Sequence, residues 1–143
     1  KDYKQLMMQY YGAGVQACYR GPRLYDTDST RKVVSETIAW YKKYREILNA
    51  DIIHLRRADG RDWDGIMHVN PHGKTKALLM LYNPLKEKIT RTIKLPLYYS
   101  GITGTALIRE QEAAAKSYKL NRGYEVELTF TIAAESYTWF VVE

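Results

Sequence analysis

The apolar residues of this chain change their spacing at one place, and that change constrains the fold more than any other feature. Up to Leu48 they recur with a helical period; from Asp51 onward the period is two. Over Ser29–Leu48, the residues Val33, Val34, Thr37, Ile38, Trp40, Tyr41, Tyr44, Ile47 and Leu48 fall on one arc of roughly 180°, at about 100° per residue. Arg45 is the only charge inside that arc. Asp26, Thr27 and Asp28 are N-cap candidates whose oxygens also suit the positive end of the helix dipole. Asn49 is a stop signal. The arc is wider than one sheet needs. The helix is therefore expected to contact two bodies, one along Val33, Trp40, Tyr44 and Ile47 and the other along Val34, Ile38 and Tyr41, and one of these bodies lies outside this chain.

After residue 50 the pattern predicts strands and turns. Ile52–Arg57 and Ile66–Asn70 read as two strands around Asp59-Gly60, the favoured dipeptide of a tight hairpin because glycine accepts the positive φ. Ala77–Tyr82 is continuously apolar, which predicts a strand covered on both faces. Ile89, Arg91, Ile93 and Leu95 alternate with polar neighbours until Pro96 ends the run. Thr105–Glu110 and Ser117–Leu120 are short strands. Tyr124, Val126, Leu128, Phe130 and Ile132 then alternate cleanly with Glu125, Glu127, Thr129 and Thr131, and Tyr137–Val142 closes the sheet. The expected fold is mainly β: an antiparallel sandwich of about eight strands over residues 51–143, preceded by a helical and loop segment over residues 1–50.

At 143 residues the chain is long enough for one domain with a real core. Its thirteen tyrosines are unusual. They suit a half-wet, sugar-facing surface, but filling the edge of a β core is their commoner role. The net charge of +6 is spread as +4 over residues 1–50 and +2 beyond. There is no basic block or aromatic-basic stripe, so nucleic acid is not expected as a partner. No apolar run is long enough to span a membrane. Cys18 is the single cysteine, which excludes an intrachain disulfide and with it a disulfide-stapled mini-domain, though not secretion. The chain begins at Lys1 without methionine, as expected of a processed or truncated piece.

Few residues in the chain point to chemistry. His68 and His72 are four apart, but Pro71 denies them a helix face, so structural histidines are expected rather than zinc ligands. Asp59, Asp62 and Asp64 fail the spacing of a calcium loop and read as exposed hairpin carboxylates. Gly12 and Gly14 lack the third glycine and the preceding strand of a dinucleotide loop. Cys18 has no partner at catalytic spacing, and no pair of carboxylates is placed to flank a glycosidic bond. Arg20 and Arg23 flank Gly21-Pro22, where they suit an anion, a sugar hydroxyl or a neighbouring carboxylate. Trp63, Tyr98, Tyr99 and Tyr137 are candidates for stacking on sugar rings.

The runs Tyr10-Tyr11-Gly12-Ala13-Gly14-Val15-Gln16 and Tyr19–Asp26, with Trp40–Leu48 and Asp59-Gly60-Arg61-Asp62-Trp63-Asp64-Gly65, resemble the C-terminal end of bacterial α-galactosidase-like glycoside hydrolases, which are common in gut Bacteroidetes. The closest local likeness is Tyr41-Lys42-Lys43-Tyr44-Arg45, similar to the helix motif that leads into the family's C-terminal sandwich. The resemblance implies the tail of a (β/α)8 barrel over residues 1–50 and a non-catalytic sandwich beyond it. It also implies that the catalytic carboxylates lie upstream of Lys1, so no catalytic residue is carried over, and that the chain alone is inactive. The implied partner is the upstream barrel of the same polypeptide, with carbohydrate as a further possible contact and no cofactor or metal. A periplasmic or secreted parent accords with the resemblance. Tyr19, Arg20 and Arg23 would sit near the barrel's C-terminal face, close to a sugar or bracing barrel against sandwich. With Trp63 they are the substrate-binding candidates.

Overall fold

The structure, a computed structural model, describes residues 2–15 and 25–143. It divides into two compact units, Lys1–Asn49 and Ala50–Glu143. Among the described residues the first holds two helices, α1 (Asp2–Gly12) and α2 (Asp28–Leu48). The second holds eight strands: β1 (Asp51–Arg56), β2 (Asp64–Val69), β3 (Ala77–Asn83), β4 (Ile89–Pro96), β5 (Thr105–Glu110), β6 (Lys116–Lys119), β7 (Glu125–Ile132) and β8 (Ser136–Val142). The mainly β, antiparallel fold expected from the alternation is the one observed.

Within the first unit, α2 starts where a cap exists. Thr27 is extended, and its hydroxyl oxygen accepts the Thr30 N–H at 3.1 Å, satisfying one of the helix's orphan donors. Asp28 lies in the first turn, where a carboxylate suits the dipole. At the other end the Asn49 N–H returns to the Arg45 carbonyl, and the Tyr41 hydroxyl donates to the Asn49 side chain at 3.2 Å. Tyr41 also meets Tyr11 of α1, with ring centroids 4.9 Å apart. Thr37, Tyr44, Ile47 and Leu48 are buried, while Val33, Val34, Ile38 and Trp40 of the same arc are half-buried.

The second unit is two sheets face to face. Six strands run in the order β1-β2-β3-β8-β5-β6, and β4 and β7 form a separate pair. Every pairing is antiparallel. Alternation decides the packing: on β7, Val126, Leu128, Phe130 and Ile132 are buried, and Glu127, Thr129 and Thr131 are exposed. These side chains meet Met67, Val69, Leu79, Leu81, Ile108, Phe140 and Val142 of the large sheet in one core. Each such burial contributes about 1.5–3 kcal/mol. β3 is buried on both faces except at Tyr82, as its unbroken apolar run requires. Gly65 in β2 has a steric reason: a Cβ there would lie 2.6 Å from Leu81 Cδ2 and 3.0 Å from the Met80 carbonyl oxygen.

The first hairpin differs from expectation. Gly60 has the positive φ, 70°, but Asp59-Gly60 does not close a two-residue turn. Arg56 pairs with Gly65, leaving residues 57–63 as a longer loop. The Arg56 guanidinium explains its shape. It donates to both carboxylate oxygens of Asp59, at 3.1 and 2.9 Å, and to the Trp63 carbonyl at 2.6 Å. Side-chain bonds hold this loop where ladder bonds would otherwise shorten it.

Candidate functional site

Beyond Pro96 the chain makes a single 3-10 turn, Tyr98–Ser100. Its ends are fixed from within. Leu97 is fully buried, the buried Ser100 hydroxyl donates to the Leu97 carbonyl, and Gly101 closes the turn at φ 75°. A turn anchored on its inner side directs the intervening rings outward, and Tyr98 and Tyr99 are 63% and 65% exposed. The Leu97 N–H donates to the Tyr124 carbonyl at 2.9 Å, tying this turn to the one between β6 and β7.

That second turn is shaped by Asn121. Its side-chain oxygen accepts the Gly123 and Glu125 N–H groups at 2.8 and 3.0 Å, and its carbonyl accepts the Tyr124 N–H. Tyr124 is thereby held at φ 58°, in a left-handed conformation that a tyrosine adopts at a cost. The sequence pattern starts the last long alternating run at Tyr124. The structure corrects this: β7 begins at Glu125, and Tyr124 is 40% exposed. Its ring meets Tyr98 edge-on, centroids 5.6 Å apart and planes at 71°, and Tyr98 meets Tyr99 at 5.2 Å and 87°. Both are favourable aromatic geometries.

The Asn121–Glu125 turn also borders a groove of about 420 Å3, lined by Lys94, Tyr118, Lys119, Asn121, Glu125, Val126 and Glu127. Lys94 and Glu127 are cross-strand partners on β4 and β7. The groove thus carries two ammonium and two carboxylate groups, and it shares the Asn121–Glu125 turn with the tyrosine cluster. It offers donors and acceptors in balance and no net charge.

No protein-family model matches the chain, and no curated protein matches it in sequence. Solved structures do. A protein from Bacillus halodurans C-125 described as an alpha-N-acetylgalactosaminidase matches 97% of the chain with a TM-score of 0.62 at 10% identity, over 30% of its own length. A variant of AmyP in complex with maltotriose matches 90% of the chain with a TM-score of 0.50 at 12% identity, over 24% of its length. A pullulanase from Anoxybacillus sp. LM18-11 matches 99% at 10% identity, but its TM-score of 0.47 is too low to bear on the fold. At such identities the likeness is one of fold. The chain spans between 24% and 30% of the length of these proteins.

Tyr19, Arg20 and Arg23 lie outside the described residues, as does Cys18. Trp63 is 9% exposed and belongs to the core, its ring edge-on to Phe130 at 5.4 Å. Tyr137 is half-buried on β8. Neither belongs to the cluster formed by Tyr98, Tyr99 and Tyr124. Of the four stacking candidates, the structure brings together Tyr98 and Tyr99 and adds Tyr124. The signal for Tyr124 was present in Asn121-Arg122-Gly123, a turn whose asparagine can bond the backbone two residues on.

The hairpin carboxylates are engaged with arginines and backbone. Arg56 and then the Arg61 N–H hold Asp59 down at about 2. The Trp63 N–H, followed by Arg91, lowers Asp62, and Arg91 bridges it at 3.1 Å. Asp64 is instead raised by burial. It pairs with Tyr82, which pairs with Tyr137, and burial raises both of those phenols as well. Among the described residues, no three His, Cys, Asp or Glu side chains converge as a metal site would require. His68 is buried within β2.

Proposed function

We propose that this chain is the non-catalytic C-terminal β-sandwich domain of a bacterial α-galactosidase-like glycoside hydrolase, and that residues 1–50 are the tail of its catalytic barrel. The observation that carries this reading is the sandwich fold, matched over 97% of the chain by 30% of the Bacillus halodurans protein described as an alpha-N-acetylgalactosaminidase. The half-buried Val33, Val34, Ile38 and Trp40 on α2 support it too, since that apolar face suits a further body such as a barrel. On this reading the domain braces the barrel, and the acid and nucleophile of hydrolysis reside upstream. The chain by itself is expected to release no aryl alcohol from aryl α-galactosides, whereas the same polypeptide extended upstream to include the barrel should. Turnover by the 143-residue chain alone would overturn the proposal.

A second reading, a free-standing carbohydrate-binding module, is favoured by the exposed Tyr98, Tyr99 and Tyr124 cluster. It requires sugar binding by the chain and no hydrolytic activity from the extended protein.

A further inference from the structure

We infer that Tyr98, Tyr99 and Tyr124, with the adjoining groove, form a binding site for a neutral oligosaccharide. The inference rests on the carbohydrate-handling reading above for its ligand class and adds the location, which lies wholly within the β-sandwich. Three observations carry it. The exposed rings are tyrosines, which present a flat apolar face for the C–H side of a pyranose and a hydroxyl to bond its edge. They are held rather than loose: the mutual edge-on contacts, the buried Leu97 and Ser100 beneath and the Asn121 bonds that keep Tyr124 left-handed all act on one small surface. Strain retained at an exposed aromatic residue, and over-determined by its surroundings, fits a preorganised binding surface. Finally, Lys94, Lys119, Glu125 and Glu127 line the groove in charge balance with Asn121. An anion or nucleic acid would meet the two carboxylates and a cation the two ammonium groups, whereas a polyol can bond all of them.

A second copy of the chain is the competing occupant. It would bury the same rings, but it has no need of a polar groove beside them.

The test uses the whole chain, with raffinose and maltotriose as probes in ligand-observed NMR and isothermal titration. Weak binding of at least one probe is expected, with a dissociation constant of about 0.1–5 mM. The double substitution Tyr98→Ala/Tyr99→Ala should weaken it roughly tenfold or more, and Glu127→Gln by about threefold. All three side chains are exposed, so the circular dichroism spectrum should not change, and the unfolding midpoint of the double substitution should fall only by the loss of its two ring contacts. Absence of binding at about 10 mM of either sugar would overturn the inference. So would binding that survives the double substitution, or self-association that the substitution abolishes while sugar binding is absent. Loss of hydrolysis in the extended protein bears on the domain assignment alone, because sugar binding is read on the chain without its barrel.

Discussion

Asn83 does more for this fold than its side chain suggests. It is fully buried at the end of β3. Its amide nitrogen lies within bonding distance of the carbonyls of Glu87, Ile132 and Ala133, at 2.8, 3.2 and 3.0 Å, and its oxygen accepts the Leu85 N–H. One residue therefore joins a strand of the large sheet to the end of β7 in the small one. Replacing it by alanine leaves these backbone groups short of partners. Asn83→Ala is expected to cost roughly 2–4 kcal/mol, read as a lower urea midpoint at unchanged slope. The hairpin carboxylates predict opposite pH effects. Asp59 is held at about 2 by Arg56, so its stabilisation is present above the ordinary carboxylate value and is lost as pH falls toward 2. The stability gap between the natural protein and Asp59→Asn should then shrink from pH 5 to pH 2. Asp64 is raised by burial, so its favourable contribution is present in acid and is lost as pH rises through its folded value. Asp64→Asn should be the more stable form at pH 7, with the advantage fading below about pH 4. Thermal melts across that range check both.

At the scale of elements, the local rules held where a segment answers only to itself. Thr27 caps α2 and Asn49 closes it, both candidates from sequence, and the helix runs Asp28–Leu48. Thr27→Ala should lower the stability of the helical signal at 222 nm by about 1 kcal/mol. β7 shows the alternation at full strength, and Phe130 at its centre packs against Trp63. Phe130→Ala should cost about 3–5 kcal/mol in chemical unfolding. On the outer side of the same strand pair, Thr90 meets Thr131 and Thr92 meets Thr129, with hydroxyl oxygens 2.9 and 2.8 Å apart. Such exposed rungs contribute a few tenths of a kcal/mol up to about 1 each, and they fix register more than stability. The first hairpin is where local reading failed. Asp59-Gly60 is a strong turn signal, but Arg56 bonds across to Asp59 and Trp63 and Arg91 of β4 takes Asp62. Side chains from the end of β1 and from the opposite sheet thus set the loop's shape, and dipeptide preference cannot see them.

For the whole molecule, the core joining the two sheets draws all its members from residues beyond 50, and contacts divide the chain at Asn49. Residues 50–143 are therefore expected to fold without the helices and to give a dispersed amide NMR spectrum; a collapsed spectrum would show that the sandwich cannot form without them. By itself the sequence determined the two periods and where they change, the ends of α2, and eight strands of nearly correct extent. These follow from backbone geometry, which repeats every 3.6 or 2 residues and is read within a window. Only the tertiary structure decided which aromatic residues are exposed. Trp63 looked available for a sugar and lies in the core, because at the end of the loop before β2 it packs edge-on against Phe130. Tyr124 heads the alternating run in the sequence and yet stands exposed, because Asn121 bends the chain left-handed before the ladder of β7 begins. Its meeting with Tyr98 depends on β4 and β7 pairing in one register, Pro96 opposite Glu125. That pairing joins distant parts of the chain, and no local period encodes it.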